Sequence, residues 1–332
     1  MKDSTDLHSQ KNKIYGITGA MFLLLCALFF ISLFIGKYPL SLEKLKANDA
    51  LQWSVFWNLR FSRVLVGCVG GIAIGMTGFI YQMVFKNPLA SPDILGVSSG
   101  ASAGAAVGII FFSGVYSIIT CSFVGAIAAV LLALLFASID HSGNKTTVVL
   151  AGIAVHALAQ MVLMLLKRMA DPEKELASIE YWIMGELNGI NTKVIIVNIP
   201  ICIVCLILLC FLHRQSLLLS MDEMETKMLG VKVANVRLVL LFLSTLSVAS
   251  IVSMTGIISF VGLLAPHFAR RLTRNNQIET MFLSGFLGGI FLLIADMLAR
   301  SVAQTELPVS IFTSMIGVPF LIVLIIKRRE LA

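Results

Sequence analysis

The 332-residue chain is too apolar to fold as a water-soluble protein. Apolar residues make up 58% of it and charged residues 13%, against about 25% charged residues in a typical soluble domain. The net charge of +7 is expected to reflect uneven loops rather than affinity for nucleic acid. We therefore predict an all-α integral membrane protein, with lipid as its main solvent and no nucleic-acid partner.

The apolar stretches predict about ten transmembrane helices. The first runs from Tyr15 to Gly36, long enough to cross a hydrocarbon core of about 30 Å, and no cleavage site follows it, so we expect an uncleaved helix. The nine others lie at 62–84, 94–112, 115–138, 147–168, 194–212, 236–255, 257–270, 281–299 and 309–326. The stretch 257–270 is short and contains Pro266, which is tolerated at membrane depth where protein or water surrounds it. This organisation gives an N-terminal tail at 1–14, one membrane domain at 15–326 and a C-terminal tail at 327–332.

Basic residues indicate the orientation of the helices. With the N-terminus inside and ten alternating spans, 15 Lys and Arg residues fall inside and 10 outside. This bias has the sign of the positive-inside rule, so both termini are expected in the cytoplasm.

A short internal echo suggests an inverted repeat. Met76-Thr77-Gly78 recurs as Met254-Thr255-Gly256, and a proline follows ten residues after each glycine, at Pro88 and Pro266. The offset of 178 residues would overlay two helices of opposite direction, as an inverted repeat requires.

Small residues recur at every fourth position in two of the predicted helices. They are Gly67, Gly71 and Gly75 in one helix, and Gly100, Gly104 and Gly108 in the other. Such stripes permit close helix packing. They fit packing within one chain, a pore lining or a subunit interface.

Two loops interrupt the apolar pattern. In residues 87–92 two prolines block helix continuation, so Asn87 and Pro88 are expected in a tight turn at a membrane face. In the loop at about 222–232, Met224, Met228 and Leu229 are spaced as on one face of a short helix that Gly230 ends. That helix fits either a simple linker or a docking element for a partner.

Three arginines and one aspartate stand out near the outer helix ends. Arg60, Arg63 and Arg300 could snorkel to lipid headgroups, but an outer arginine cluster runs against the positive-inside trend and raises a role in protein binding. Asp296 lies four residues before Arg300, so we expect a local ion pair, although an intramembrane acid is also a functional candidate.

Other chemistry has little support in the sequence. The six cysteines lie in apolar runs and behave there as small apolar residues. His156 and His267 have no second ligand at metal-binding spacing, and no catalytic triad or phosphate-binding loop is evident. We expect no catalytic residue, no metal site and no cofactor in this chain.

A series of short motifs runs in a fixed order from Arg60 to Pro319. They are Arg60-Phe61-Ser62-Arg63, Gln82, Asn87-Pro88-Leu89-Ala90-Ser91-Pro92, Leu95-Gly96, Gly100-Ala101, Leu150-Ala151-Gly152, Trp182, Gly185, Leu229-Gly230, Gly256 to Arg270, Ala295-Asp296, Arg300, Glu306-Leu307-Pro308 and Gly317-Val318-Pro319. Over nearly its whole length the chain thereby resembles the FecCD family of ABC-transporter permeases. It departs from the family at Phe61-Ser62, where Leu-Pro is usual, and at Asn275-Asn276-Gln277, where Asp-His-Arg is common.

The resemblance implies a fold like that of the vitamin B12 permease, in a multi-pass subunit of a bacterial cytoplasmic membrane. Two permease subunits, identical or paralogous, would flank one pathway. A dimer of ATPase subunits, which bind ATP and Mg²⁺, would dock inside, and a substrate-binding lipoprotein or periplasmic protein would dock outside.

The resemblance also assigns roles to residues. ATPase coupling falls to the helix at about 222–232, with Asp222, Glu223, Glu225, Lys227, Leu229 and Gly230, and docking of the binding protein to Arg60, Arg63 and Arg300. Pathway or structural roles fall to Gln82, Asn87, Pro88, Gly256, Pro266, His267 and Asp296. The expected substrate is an iron(III)–siderophore complex. Cobalamin or haem remains an alternative substrate, and an ion-coupled secondary transporter remains an alternative class.

Overall fold

A computed structural model describes residues 2–38, 40, 43, 46–47, 49–112, 114–139, 145–190, 192–221, 223–303 and 305–329. All regular elements in these ranges are helical. The helices are α1 (Lys2–Phe34), α2 (Ala50–Ser54), α3 (Ser62–Val84), α4 (Val97–Phe111), α5 (Val115–Ile139), α6 (Lys145–Met169), α7 (Glu175–Ile183), α8 (Thr192–Phe211), α9 (His213–Ser220), α10 (Glu223–Met228), α11 (Val233–Thr255), α12 (Val261–Thr273), α13 (Ile278–Ser301) and α14 (Val309–Arg329). A π-helical segment, Val55–Phe61, joins α2 to α3, and a 3₁₀ turn, Pro92–Leu95, precedes α4.

The predicted membrane helices are present. Seven helices in the described part of the chain are long and apolar enough to cross a membrane, and Val97–Phe111 and Val309–Val323 are shorter apolar helices. With α12 they account for each of the ten apolar stretches. The prediction of an all-α membrane protein with about ten helices is therefore confirmed.

Several helix boundaries differ from those expected. Helix α1 begins at Lys2 rather than Tyr15, because polar residues can continue a helix into water. The expected stretch 257–270 becomes α12 preceded by irregular backbone at 256–260. Helices α2, α7 and α9 were not predicted, because each is short and its polar residues hide it from a hydropathy pattern.

Helix α3 lies at the centre of the bundle, in contact with α11, α12 and α13. Glycines permit these contacts. A Cβ atom on Gly78 would lie 1.9 Å from the carbonyl oxygen of Gly262 in α12, and one on Gly71 would lie 2.4 Å from that of Gly288 in α13. Backbone therefore packs directly on backbone, the arrangement that small residues permit in membranes.

The second glycine stripe packs α4 against α5. Cβ atoms on Gly100 and Gly104 would lie 2.5 Å from the carbonyl oxygen of Gly125 and 2.1 Å from that of Cys121. Both stripes thus serve packing within the chain, the simplest of the three interpretations.

The two halves of the internal echo do not occupy equivalent positions. Gly78 lies inside α3, whereas Gly256 follows the end of α11 with φ +68°. The three-letter match therefore does not superimpose one helix on the other, and the inverted repeat stays a prediction.

Candidate functional site

Asp296 holds together an ion cluster at one end of the bundle. Its carboxylate is fully buried between Arg63, whose Nε lies 2.8 Å from Oδ1, and Arg300, whose Nη2 lies 2.8 Å from Oδ2. The expected pair of Asp296 with Arg300 is confirmed. Arg63 on α3 is a second, unpredicted partner, so the acid joins α3 to α13.

Both arginines also bind other segments. Arg63 Nη1 lies 2.6 Å from Glu306 in the loop after α13. Arg300 donates to Ser32 Oγ at 2.6 Å and to the carbonyl oxygens of Ser32 and Ile35 at 3.2 and 2.9 Å. The cluster therefore ties together the ends of α1, α3 and α13 and the following loop.

Arg60 lies beside this cluster and caps the chain that leaves α1. Its guanidinium donates to the carbonyl oxygens of Ile35 and Tyr38 at 2.5 and 3.0 Å. A Cβ atom on Gly36, whose φ is +149°, would lie 1.4 Å from Arg60 Nη1. Glycine at position 36 thus makes room for the guanidinium.

The three arginines are buried rather than displayed. Arg60, Arg63 and Arg300 are 7%, 6% and 2% exposed, so they do not snorkel to lipid headgroups. A cavity of about 160 Å³ reaches Arg60 and Arg63, and its lining includes Lys37, Asn188 and Glu306. A partner could reach two of the arginines through this cavity, whereas Arg300 lies beneath Ser32 and Ile35.

Tyr181 and Glu186 form a second polar pair at the same end. The Tyr181 hydroxyl donates to the Glu186 carboxylate, which raises the pKa of Tyr181 to about 12. Burial raises the pKa of Glu186, and the Tyr181 hydrogen bond and the Arg63 charge oppose this shift. Both residues line a cavity of about 250 Å³ between α4, α5, α7 and α11.

Gln82 and Arg270 connect α3 to α12 at the opposite end of the bundle. Gln82 donates to the carbonyl oxygen of Leu263 at 3.2 Å and accepts from Arg270. Arg270 also donates to Asn276 at 2.9 Å and lies over the Phe79 ring, 5.0 Å from its centroid. The motif residue Gln82 therefore fixes the C-terminal end of α3.

Asn87 and Pro88 form the expected turn after α3. The Asn87 side chain accepts from the backbone amide of Leu89 at 3.0 Å, and its carbonyl accepts from Ala90 at 3.1 Å. The chain then enters the 3₁₀ turn, where Pro92 occupies the first position.

The remaining motif residues serve packing around α12. A Cβ atom on Gly256 would lie 2.2 Å from the carbonyl oxygen of Trp182, so α11 ends in contact with α7. Pro266 lies inside α12, and the His267 ring contacts Phe320 of α14 with centroids 5.1 Å apart. Their pathway role stays a prediction.

The predicted coupling segment contains a short helix, α10, with exposed apolar residues. Met228 is 82% and Leu229 61% exposed, whereas Thr226 is buried and donates to the carbonyl oxygen of Leu218 at 2.8 Å. Gly230 ends the segment at φ +76°. Asp222 and the side chains of Glu223 and Lys227 lie outside the described residues, and Glu225 is exposed.

Sequence reasoning missed several residues of these two ends. They are Ser32, Gly36, Tyr181, Glu186, Glu306, Arg270, Asn276 and Lys86. Glu306 and Arg270 fall within quoted motifs but received no role. Ser32, Gly36 and Lys86 contact segments far away in the chain, so local spacing gave no signal. Tyr181 with Glu186 and Asn276 with Arg270 are close in sequence, but their spacing matches no known motif.

Comparison with known proteins identifies the family. A model of the FecCD transport family matches residues 24–327. The molybdate import permease MolB of Haemophilus influenzae is 33% identical, with 96% of each chain covered, and the hemin permease HmuU of Yersinia pestis is 34% identical, with 94% of this chain and 96% of the relative covered. The iron(3+)-hydroxamate permease FhuG of Bacillus subtilis is 31% identical, with 97% of this chain and all of the relative covered.

The solved structure of a metal-chelate type ABC transporter, in an inward-facing conformation, gives a TM-score of 0.85 at 32% identity. It covers 94% of this chain and 99% of its own. Because the family pattern spans nearly the whole chain and the fold matches that structure, this protein belongs to the FecCD transport family of ABC-importer permeases.

Proposed function

We propose that this chain is the permease subunit of an ATP-driven importer for iron(III)–siderophore complexes. The observation that carries the ATP-driven part is the exposure of Met228 and Leu229, at and just after the end of α10. The two residues are adjacent and both exposed in a mostly polar segment, which suits a surface that a partner covers. The partner is an ATPase dimer, which binds ATP and Mg²⁺ and docks on α10 from the cytoplasm.

The outer end receives the substrate-binding protein. The cavity beside Arg60 and Arg63 is lined by Lys37 and Glu306 as well. Its three basic side chains outnumber the acidic one, so the rim favours an acidic side chain from the partner. Lys37, Asn188 and the accessible faces of the two arginines would make the contact. Arg300 would act indirectly, by holding the end of α1 in place.

The siderophore assignment is supported by the hydroxamate relative and opposed by none of the described residues. The relatives named for molybdate and hemin are similarly close in identity, so these two compounds and cobalamin are the rival substrates. For any of these substrates, the second permease subunit would be either a copy of this chain or a paralogue.

An ion-coupled secondary transporter is less consistent with the structure. Such a protein commonly uses an acid near mid-membrane to bind its coupling ion. Asp296 was the clearest candidate, and both of its oxygens face arginines at 2.8 Å. An acid shared by two arginines has little capacity to bind a further cation.

Co-purification and uptake test the proposal. The tagged chain is purified in mild detergent, the partners are identified by mass spectrometry, and the complex is reconstituted in proteoliposomes with its binding protein. The uptake panel is ⁵⁵Fe(III)–ferrichrome, hemin, cyanocobalamin and molybdate. We expect an ATPase to co-purify, and ferrichrome uptake to need ATP and to survive collapse of the proton gradient.

A pair of matched variants locates the ATPase contact. Met228→Ser should reduce recovery of the ATPase, whereas Met184→Ser, at a methionine 49% exposed in the loop after α7 at the opposite end, should not. Recovery of the chain without ATPase, under conditions that preserve a known ABC complex, would contradict the proposed function. Preferred uptake of another compound would contradict the siderophore assignment alone.

A further inference from the structure

Lys86 ends α3 in a backbone conformation that normally requires glycine. Its φ is +50°, its amide donates to the carbonyl of Met83 at 3.2 Å, and the amide of Asn87 donates to that of Gln82 at 3.1 Å. This pair of bonds is the helix-ending pattern in which glycine is usual. A lysine in the left-handed region strains the backbone, so the backbone alone does not favour it.

The side chain of Lys86 reaches a distant part of the cytoplasmic end. Its Nζ donates to the carbonyl oxygen of Met221, the residue that follows α9 and precedes the α10 segment. The strained lysine thereby ties the end of α3 to the start of the predicted coupling segment.

Helix α3 is well placed to receive a displacement at this point. One turn before Lys86, Gln82 binds α12 through Leu263 and Arg270. At its other end, Arg63 binds Asp296 and Glu306. The bond from Lys86 to Met221 therefore connects the backbone at Met221 directly to α3, the helix that reaches both polar ends.

We propose that Lys86 is a positioning residue that transmits movement of α10 to α3 through its bond to Met221. This inference rests on the proposed function, in which the ATPase docks on α10. Lys86 itself touches neither nucleotide nor substrate.

The variant Lys86→Gly separates this role from folding. Glycine accepts φ +50° without strain, so the free energy of unfolding should stay equal or rise, while the bond to Met221 is lost. In proteoliposomes with the ATPase and the binding protein, we expect the amount of substrate transported per ATP hydrolysed to fall about fivefold or more. A factor of about five is the lower end of the range that typical allosteric coupling free energies produce. The probe is the compound that the uptake panel identifies, ⁵⁵Fe(III)–ferrichrome first, and Lys86→Arg should retain most of the coupling.

Arg274→Gly is the matched control. Arg274 is also cationic, exposed and left-handed, with φ +56°, and it ends α12 at the same end of the bundle. We expect it to transport as the wild type does. Unchanged transport per ATP in Lys86→Gly, or an equal loss in Arg274→Gly, would overturn the inference while leaving the proposed function intact. Absence of ATP-driven uptake in the wild type would instead refute the proposed function, and this inference with it.

Discussion

Replacing Asp296 with asparagine tests whether the ion cluster around Asp296 holds the helix ends together. The carboxylate is fully buried and shared by Arg63 and Arg300, whose side chains are 8% and 1% exposed. Removing one member of a buried ion pair costs about 3–5 kcal/mol, because it leaves uncompensated charge behind. Glu306 still compensates Arg63, and carbonyl oxygens still bind Arg300, so we expect about 3 kcal/mol, the lower end of that range.

SDS titration of the free energy of unfolding in mixed micelles measures this loss. Glu306→Gln is the control, because its side chain is 27% exposed and its ion pair should contribute about 1 kcal/mol or less. The double variant Asp296→Asn, Arg300→Met should lose less than the two single variants combined, because it removes acid and base together. An Asp296→Asn protein as stable as the wild type, or strictly additive losses, would refute the reasoning.

Three further predictions concern single positions, and SDS titration measures stability in each. Gly78→Ala should lose about 1–3 kcal/mol or more of stability, because the new Cβ meets rigid backbone in α12. Gly67→Ala should be tolerated, because the nearest neighbours of its Cβ are leucine methyl groups at 3.4 Å. Equal losses in the two variants would contradict this reasoning. The raised pKa of Glu186 means that the folded state binds more protons than the unfolded state above pH 4.5. Stability should therefore fall as the pH rises through the folded pKa, and Glu186→Gln should abolish that fall. A Glu186→Gln protein with the pH profile of the wild type would refute this prediction. Gly230→Ala and Gly189→Ala both place a side chain at positive φ with open space around it, so each should lower the free energy of unfolding by about 1 kcal/mol. Only Gly230→Ala should reduce the amount of ATPase that co-purifies.

Hydropathy was sufficient to locate the membrane helices, since lipid requires long apolar segments whatever their partners. The expected stretch at 62–84 coincides with α3, and most others agree within three residues. The pattern failed where a helix does not cross the lipid. Helix α7 has nine residues, and Glu175 and Glu180 are among them, so it contains no long apolar run.

The ion cluster around Asp296 was predictable only in part. The spacing of Arg60 and Arg63 and that of Asp296 and Arg300 are local, and the second correctly predicted an ion pair. The burial of these side chains depends on the end of α1, more than 260 residues from Arg300 in sequence. Local sequence patterns therefore do not predict whether these arginines are exposed. Because exposure decides between a docking and a structural role, that choice also depends on the fold.

The packing of α3 offers a physical path for the proposed transmission between the two polar ends. Between Gln82 and Arg63, α3 packs through Gly71, Gly75 and Gly78 directly on the backbones of α12 and α13. Such contacts leave no room for side chains to rearrange, and close-packed interiors transmit strain rather than absorb it. A displacement applied at the C-terminal end of α3 should therefore move the helix as a rigid body, and Arg63 would carry that movement to Asp296 and Glu306. A side chain added at Gly78 would disturb this path at its narrowest contact.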